Sequence, residues 1–179
     1  MIRKNEPLTP SPRDQVRVLF VCLGNICRSP MAEFIFKNRV NERGLSESFL
    51  IASAATSDEE CWNGVGSPVY PPAKKELARH GIGVPGNELG VGEKHARQLR
   101  RDDYGKWDYI IGMERRNISA MRMILGSDPE DKIKLMLEFT DTPGDISDPW
   151  YTGDFEGVYA QITAGCEGFL KHLVETGKI

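Results

Sequence analysis

Apolar residues recur along the chain in short runs that alternate with stretches of helical periodicity. The first run, residues 16–21, is apolar except at Arg17 and rich in β-branched side chains, and it predicts a buried strand. Met31, Phe34, Ile35 and Val40 then recur at helical spacing, with Pro30 in the first turn and Gly44 at the stop. Later strands are predicted at residues 50–54, 108–113 and 133–137, and later helices at about 72–80, 115–124 and 155–174.

Strands that alternate with helices imply right-handed crossover connections and therefore a parallel sheet. We expect a three-layer α/β/α fold around a central four-stranded parallel sheet. Residues 15–179 would form a single domain, preceded by a mobile N-terminal arm at residues 1–14 that contains three prolines. Because ligands bind beyond the carboxyl ends of strands in such sheets, the link between the first strand and the first helix is the candidate site.

Charge and composition make several classes of function poor candidates. The formal net charge of −3 gives no support for nucleic-acid binding. No apolar run is long enough to span a membrane, and the first residues do not form a secretory signal, so we expect a cytoplasmic protein. Its four cysteines, Cys22, Cys27, Cys61 and Cys166, lack the paired short spacings of zinc ligands. We therefore expect no metal and no other cofactor, and catalytic or redox roles for cysteine.

The segment VCLGNICRSPMAE, residues 21–33, carries the strongest chemical signal. Backbone N–H groups at a helix N-terminus can converge on an anion, and Gly24 and Asn25 tolerate the turn that this requires. Arg28 offers two parallel donors to a phosphate. A cysteine in such a field favours its nucleophilic thiolate form, so Cys22 could attack phosphorus. The alternative is that Cys22 and Cys27 are merely buried apolar residues.

The string VLFVCLGNICRSPMAE, with five residues between Cys22 and Arg28, resembles the low-molecular-weight protein tyrosine phosphatases. The resemblance extends over nearly all of residues 17–173, through the segments SAATS, HGI, HARQ, WDYIIGM, DPWY and FEGVYAQI. It implies hydrolysis of phosphotyrosine and small aryl phosphates through a cysteinyl-phosphate. Cys22 would be the nucleophile, Arg28 the phosphate clamp and Asp148 the general acid and base. The substrate would be bound by Leu23, Gly24, Asn25, Ile26, Cys27, Ser29, Trp62 and Tyr151, the last two as walls of an aromatic slot.

The same resemblance implies supporting roles and partners. Asn25, Ser53 and His95 would form a buried hydrogen-bond network that holds the phosphate loop. Cys27 would form a reversible disulfide with Cys22 and so protect it from irreversible oxidation. Glu114, where the family more often has aspartate, is expected to touch none of the catalytic groups. The partners would be phosphotyrosine proteins and a cognate tyrosine kinase, and the chain would be a monomer or a weak dimer.

Three alternative functions compete with phosphotyrosine hydrolysis. Protein-arginine phosphatases of the same fold tend to carry threonine where this chain has Ile26, which favours tyrosine. Arsenate reductases need further cysteines close together, whereas Cys61 and Cys166 are far apart in the sequence. A non-catalytic phosphotyrosine-binding module would be favoured only if a member of the catalytic set were missing.

Overall fold

The computed structural model of the chain describes residues 15–179, and the arm expected at residues 1–14 lies outside the described residues. Four parallel strands form one sheet in the order β2-β1-β3-β4, which confirms the predicted fold class. The strands are β1 (Val16–Cys22), β2 (Phe49–Ala55), β3 (Tyr109–Gly112) and β4 (Ile133–Leu135). The helices are α1 (Arg28–Glu42), α2 (Pro71–Arg79), α3 (Arg115–Leu125), α4 (Pro149–Thr152) and α5 (Phe155–Glu175). Among these strands and α-helices of residues 15–179, the short helix α4 alone has no counterpart among the predicted elements.

Helices cover both faces of the sheet, which explains why β1 is continuously apolar and buried from Val18 to Cys22. Val18 and Phe20 pack on the face covered by α1, α2 and α5. Leu19 and Val21 point to the opposite face, where they pack with residues of α3 such as Met121. This alternation along β1 builds the two apolar layers of the fold. Among residues 15–179, no helix combines the length and the apolar character of a membrane span.

The central position of β1 determines what surrounds its carboxyl end. β1 ends at Cys22, between the ends of β2 and β3. The backbone N–H of Thr56 donates to the carbonyl of Cys22, at 2.9 Å, and the N–H of Ile146 donates to the carbonyl of Met113, at 3.0 Å. Segments that follow β2, β3 and β4 therefore converge on the loop between β1 and α1.

Candidate active site

The loop at residues 22–28 wraps around the thiol of Cys22. Asn25 adopts a left-handed backbone conformation, with φ of +57°, and its backbone N–H donates to Sγ of Cys22 at 3.3 Å. The hydroxyl of Ser29, on the first turn of α1, lies 3.0 Å from the same sulfur. The thiol is thus held at a helix N-terminus by polar groups that can stabilise a negative charge.

The second cysteine of the loop has a different environment. Cys27 is buried and lines the same pocket as Cys22. Its pKa is raised, first because burial disfavours the thiolate and second because of the neighbouring Cys22. Cys27 therefore stays protonated near neutral pH and is a poor nucleophile compared with a thiolate.

Arg28 is a buried guanidinium beside two carboxylates. Its side chain is 1% exposed. Nη1 donates to the carbonyl of Ile146 at 2.9 Å, and Nη2 contacts Oδ2 of Asp148 at 3.1 Å and Oε1 of Glu114 at 3.3 Å. Burial alone would lower the pKa of Arg28, but Cys22 and the two carboxylates more than offset it, so the pKa is raised. The expectation that Glu114 touches none of the predicted catalytic residues is wrong, because it pairs directly with Arg28.

Asp148 is held at the N-terminus of α4. Its Oδ1 accepts from the backbone N–H of Trp150 at 3.1 Å, while Oδ2 faces Arg28. Pro149 occupies the first position of the helix, where it requires no hydrogen-bond acceptor. The carboxylate, 20% exposed, borders the pocket above the loop, where it could exchange a proton with a bound molecule.

A pocket opens over the loop, and its walls differ from the predicted ones. Leu23, Gly24, Ile26, Cys27 and Tyr151 line it as expected. The pocket is also lined by Glu59, Glu60 and Trp150, which were not predicted as site residues. Of the residues that were expected to bind substrate, Asn25 and Ser29 lie fully buried behind the loop, and Trp62 does not line the pocket.

The segment that follows β2 explains why Trp62 lies elsewhere. A turn forms between the N–H of Cys61 and the carbonyl of Asp58, and the N–H of Ser67 then donates to the carbonyl of Glu60 at 2.7 Å. These bonds leave Trp62 in a short 3₁₀ turn with 58% of its surface exposed. The Glu60 side chain instead covers the loop, with its Cγ 3.4 Å from where a Cβ on Gly24 would lie. At this position the pocket is therefore lined by a carboxylate and not by the predicted tryptophan.

Trp150 supplies the aromatic surface on the other side. Its ring packs on Tyr70, with centroids 4.8 Å apart, and it stays half exposed beside Asp148. The sequence signal for Trp150 was its place in the DPWY segment, directly between the acid and the predicted wall Tyr151.

The buried network behind the loop contains two of its three expected members. The Asn25 side-chain amide donates to Ser29 Oγ at 2.8 Å and to Ser53 Oγ at 2.9 Å. His95 is not part of this network: its ring is exposed, and Nδ1 pairs with the carbonyl of Glu93. Its predicted place is taken by the preceding residue, Lys94, whose Nζ donates to the carbonyl of Ser53 at 3.0 Å.

The acidic and thiol groups of the site are not grouped as metal ligands. In the part of the chain that the structure describes, no group of three or more His, Cys, Asp or Glu side chains is placed to hold a metal ion. The chemistry that the pocket offers is nucleophilic: a thiol in an anion-binding loop, a guanidinium and a carboxyl group.

Comparison with known proteins identifies the family of the chain. The family model of low molecular weight phosphotyrosine protein phosphatase matches residues 17–178. The low molecular weight protein-tyrosine-phosphatase YfkJ of Bacillus subtilis is 38% identical over 160 residues, covering 88% of this chain and 96% of the relative. The crystal structure of YfkJ gives a TM-score of 0.80 at 36% identity and covers 90% of this chain and 96% of that one.

Two further relatives bear on the substrate. The low molecular weight phosphotyrosine protein phosphatase of Homo sapiens is 36% identical over 159 residues, covering 86% of this chain and 93% of the human protein. A solved structure described as DARP, a Drosophila arginine phosphatase, is 31% identical with a TM-score of 0.71, covering 87% of this chain and 96% of that one. The chain is thus similar to proteins that are named for two different phosphorylated residues.

Proposed function

Because the chain belongs to the low molecular weight phosphotyrosine protein phosphatase family, we propose that it hydrolyses phosphotyrosine in proteins and small aryl phosphates. The observation that carries this proposal is the position of Cys22. Its sulfur lies in the loop between β1 and α1, with Ser29 at 3.0 Å and with Arg28 and Asp148 lining the same pocket. This arrangement combines a nucleophile, an anion-binding cradle and a group that can transfer a proton.

The reaction would proceed in two displacements. The Cys22 thiolate attacks phosphorus and forms the S–P bond, while the P–O bond to the phenol breaks and Asp148 gives its proton to the leaving oxygen. Asp148 then accepts a proton from a water that attacks the cysteinyl-phosphate, which releases inorganic phosphate and restores the thiolate. Loop N–H groups and Arg28 would bind the phosphoryl oxygens throughout, where negative charge accumulates.

Substitution of the nucleophile tests the proposal. Wild type should release phosphate from p-nitrophenyl phosphate and from phosphotyrosine peptides, and Cys22→Ser should abolish both activities. Cys61→Ser is a matched control, because Cys61 lies outside this pocket and should leave turnover unchanged. Hydrolysis that survives Cys22→Ser would refute the proposed nucleophile, and a wild type without turnover would favour a binding module.

Hydrolysis of phosphoarginine is a second candidate, and one feature of the pocket favours it. Glu59 and Glu60 line the pocket and could accept hydrogen bonds from a guanidinium group. Ile26 lines the same pocket and would restrict such a substrate by its bulk. Turnover of matched phosphotyrosine and phosphoarginine peptides decides between them, and we expect phosphotyrosine to be preferred. An arsenate-reductase activity is disfavoured, since Cys61 and Cys166 do not line this pocket.

We also propose that Cys27 protects the nucleophile. Peroxide would oxidise Cys22 to a sulfenic acid. Cys27, once its thiol loses its proton, would attack that sulfur, and the hydroxyl group would leave as water, giving a disulfide that dithiothreitol reduces. Cys27→Ser should therefore recover less activity after peroxide and dithiothreitol than wild type, and equal recovery would contradict the role. We further propose that the protein acts in a reducing cytoplasm as a monomer or weak dimer. Its partners would be phosphotyrosine proteins and a cognate tyrosine kinase.

A further inference from the structure

A buried ion pair lies behind the phosphate-binding loop. The ammonium group of Lys94 is 3.4 Å from Oε2 of Glu33, and the two side chains are 12% and 5% exposed. Lys94 also donates to the carbonyl of Ser53 at 3.0 Å, and the hydroxyl of Ser53 donates to Glu33. The removal of two charges from water is costly, so a pair in this position requires an explanation beyond ordinary surface electrostatics.

Hydrogen bonds connect this ion pair to the sulfur of Cys22. The backbone N–H of Arg97 donates to Oδ1 of Asn25 at 3.1 Å, which fixes the orientation of the Asn25 amide. The Asn25 Nδ2 group must then donate, and it reaches both Ser29 Oγ and Ser53 Oγ. Both hydroxyl oxygens are therefore acceptors, and each keeps one proton to donate.

The destination of each hydroxyl proton follows from the geometry. Ser53 donates to the Glu33 carboxylate. Ser29 has the sulfur of Cys22 at 3.0 Å and the carbonyl of Ala54 at the longer distance of 3.4 Å. A thiolate is the better acceptor of these two, so the network directs the Ser29 proton toward Cys22.

The charge on Glu33 holds the far end of this network in place. Lys37 pairs with the other carboxylate oxygen, from a position 28% exposed on α1. The pKa of Lys94 is lowered overall, mainly because burial disfavours its charged form. Glu33 raises this pKa, whereas Arg97 and Lys37 lower it. Removal of the Lys94 ammonium would leave Glu33 with Lys37, the more exposed of these two cations, and would free the carbonyl of Ser53.

We propose that Lys94, through its ion pair with Glu33, is a positioning residue that orients Ser53, Asn25 and Ser29 for stabilisation of the Cys22 thiolate. Lys94 touches neither the sulfur nor the pocket, so it acts only through this network. The inference rests on the proposed role of Cys22 as the nucleophile.

The experiment compares Lys94→Met with Lys94→Arg and with Lys37→Gln. Lys37→Gln is the matched control, because it removes a cation from the same carboxylate without touching Ser53. For each variant, the rate of Cys22 alkylation by iodoacetamide is measured across pH, with Cys22→Ser as the blank. The steady-state kcat and KM for p-nitrophenyl phosphate and the thermal unfolding midpoint are measured in parallel.

For Lys94→Met, we expect the alkylation profile to move to higher pH and kcat to fall about tenfold, with KM within about twofold, as for a disturbed catalytic geometry. Lys94→Arg should keep kcat and the alkylation profile close to those of wild type. Lys37→Gln should change kcat by no more than about twofold. If Lys94→Met does not fold, Lys94→Arg and a Glu33→Gln/Lys94→Met double variant, which removes both charges, give the same readouts.

Two results would overturn the inference. The first is that Lys94→Met, or the Glu33→Gln/Lys94→Met double variant, folds and matches wild type in alkylation profile and kcat. This holds even if its unfolding midpoint is lower. The other is a Lys37→Gln effect as large as that of Lys94→Met. Because alkylation needs no turnover, an altered profile in a protein that hydrolyses no phosphate would support the inference and refute only the proposed function.

Discussion

Nη2 of Arg28 lies 3.1 Å from Oδ2 of Asp148, so the proposed phosphate clamp and the proposed general acid form a direct ion pair. Arg28 shares the same nitrogen with Glu114. A phosphate that binds in the loop competes with both carboxylates for this guanidinium. Phosphate binding and proton transfer are thereby coupled through one buried side chain.

Replacement of Asp148 should have an effect that depends on the leaving group. Asp148→Asn keeps an oxygen that caps α4 but cannot donate a carboxylic proton, so kcat for phenyl phosphate should fall by about 10²- to 10³-fold. For a substrate with a good leaving group, such as 2,4-dinitrophenyl phosphate, the rate of the first step should fall much less. Asp154→Asn, which alters the equivalent cap of α5, is the control. Equal losses for both substrates in single-turnover measurements would remove Asp148 as the acid.

Replacement of Glu114 should tighten phosphate binding. Glu114→Gln keeps an acceptor for Arg28 and removes a negative charge that repels the anion. Even with the screening of bulk water, a unit charge at roughly 4 Å is worth about 1 kcal/mol, so the Ki of inorganic phosphate should fall by about fivefold or more. Competitive inhibition of p-nitrophenyl phosphate hydrolysis measures this constant. Glu130→Gln, distant from the pocket, should leave it unchanged, and a higher Ki in Glu114→Gln would contradict the prediction.

The two tryptophans should differ in their effect on substrate binding. Trp150 lines the pocket, whereas Trp62 does not. Trp150→Ala removes this ring and should raise KM for a phosphotyrosine peptide about tenfold, the usual scale for an aromatic contact. Trp62→Ala should stay within about twofold of wild type. Steady-state kinetics on both variants check this, and the opposite ranking would restore Trp62 as the wall.

The carboxylates of the pocket wall should select the charge of the peptide. Neither Glu59 nor Glu60 forms an ion pair with another residue in the range 15–179. Peptides with arginine beside phosphotyrosine should therefore have a higher kcat/KM than peptides with glutamate there, most strongly at low salt. Glu59→Gln/Glu60→Gln should reduce this ratio about fivefold or more. Glu47→Gln, at the opposite end of β2, is the control, and an unchanged ratio in the double variant would exclude this selectivity.

Acid should destabilise the protein partly through Asp103. Burial alone would raise the pKa of Asp103, but Arg97 and the backbone N–H of Arg100 outweigh it and hold the pKa below its usual value of 3.8. Asp103 therefore contributes stability above about pH 4, and this contribution is lost as the pH falls through the lowered pKa. Asp103→Asn should lower the free energy of unfolding by about 2 kcal/mol at pH 7. Urea unfolding should show the two proteins converge toward pH 2, and a constant difference would contradict this.

The positions of the secondary-structure elements could be predicted from the sequence because their signals are local. The β-branched run of β1 and the periodicity of α1 each depend on neighbouring residues, and the structure places these elements within about two residues of the predicted bounds. The loop between them was equally accessible, since Cys22, Arg28 and Ser29 lie within eight residues and meet through one turn and the start of one helix.

The network behind the loop shows why the rest was harder to predict. Lys94 and His95 are neighbours in an extended segment, where adjacent side chains point to opposite sides. A shift of one residue therefore exchanges the buried side chain with the exposed one. The sequence contained both candidates, and the hydrogen bonds to Ser53 and Glu33 decided in favour of Lys94.

The sequence by itself determined the α/β fold, the loop between β1 and α1 and the proposed nucleophile within it, because each depends on contiguous residues. Only the tertiary structure decided which distant side chains reach the loop. Glu114 arrives from the end of β3, and Glu60 arrives through a turn whose hydrogen bonds direct Trp62 away. Such contacts arise from strand order and loop path, and these are set by packing across the whole sheet, not by any local pattern.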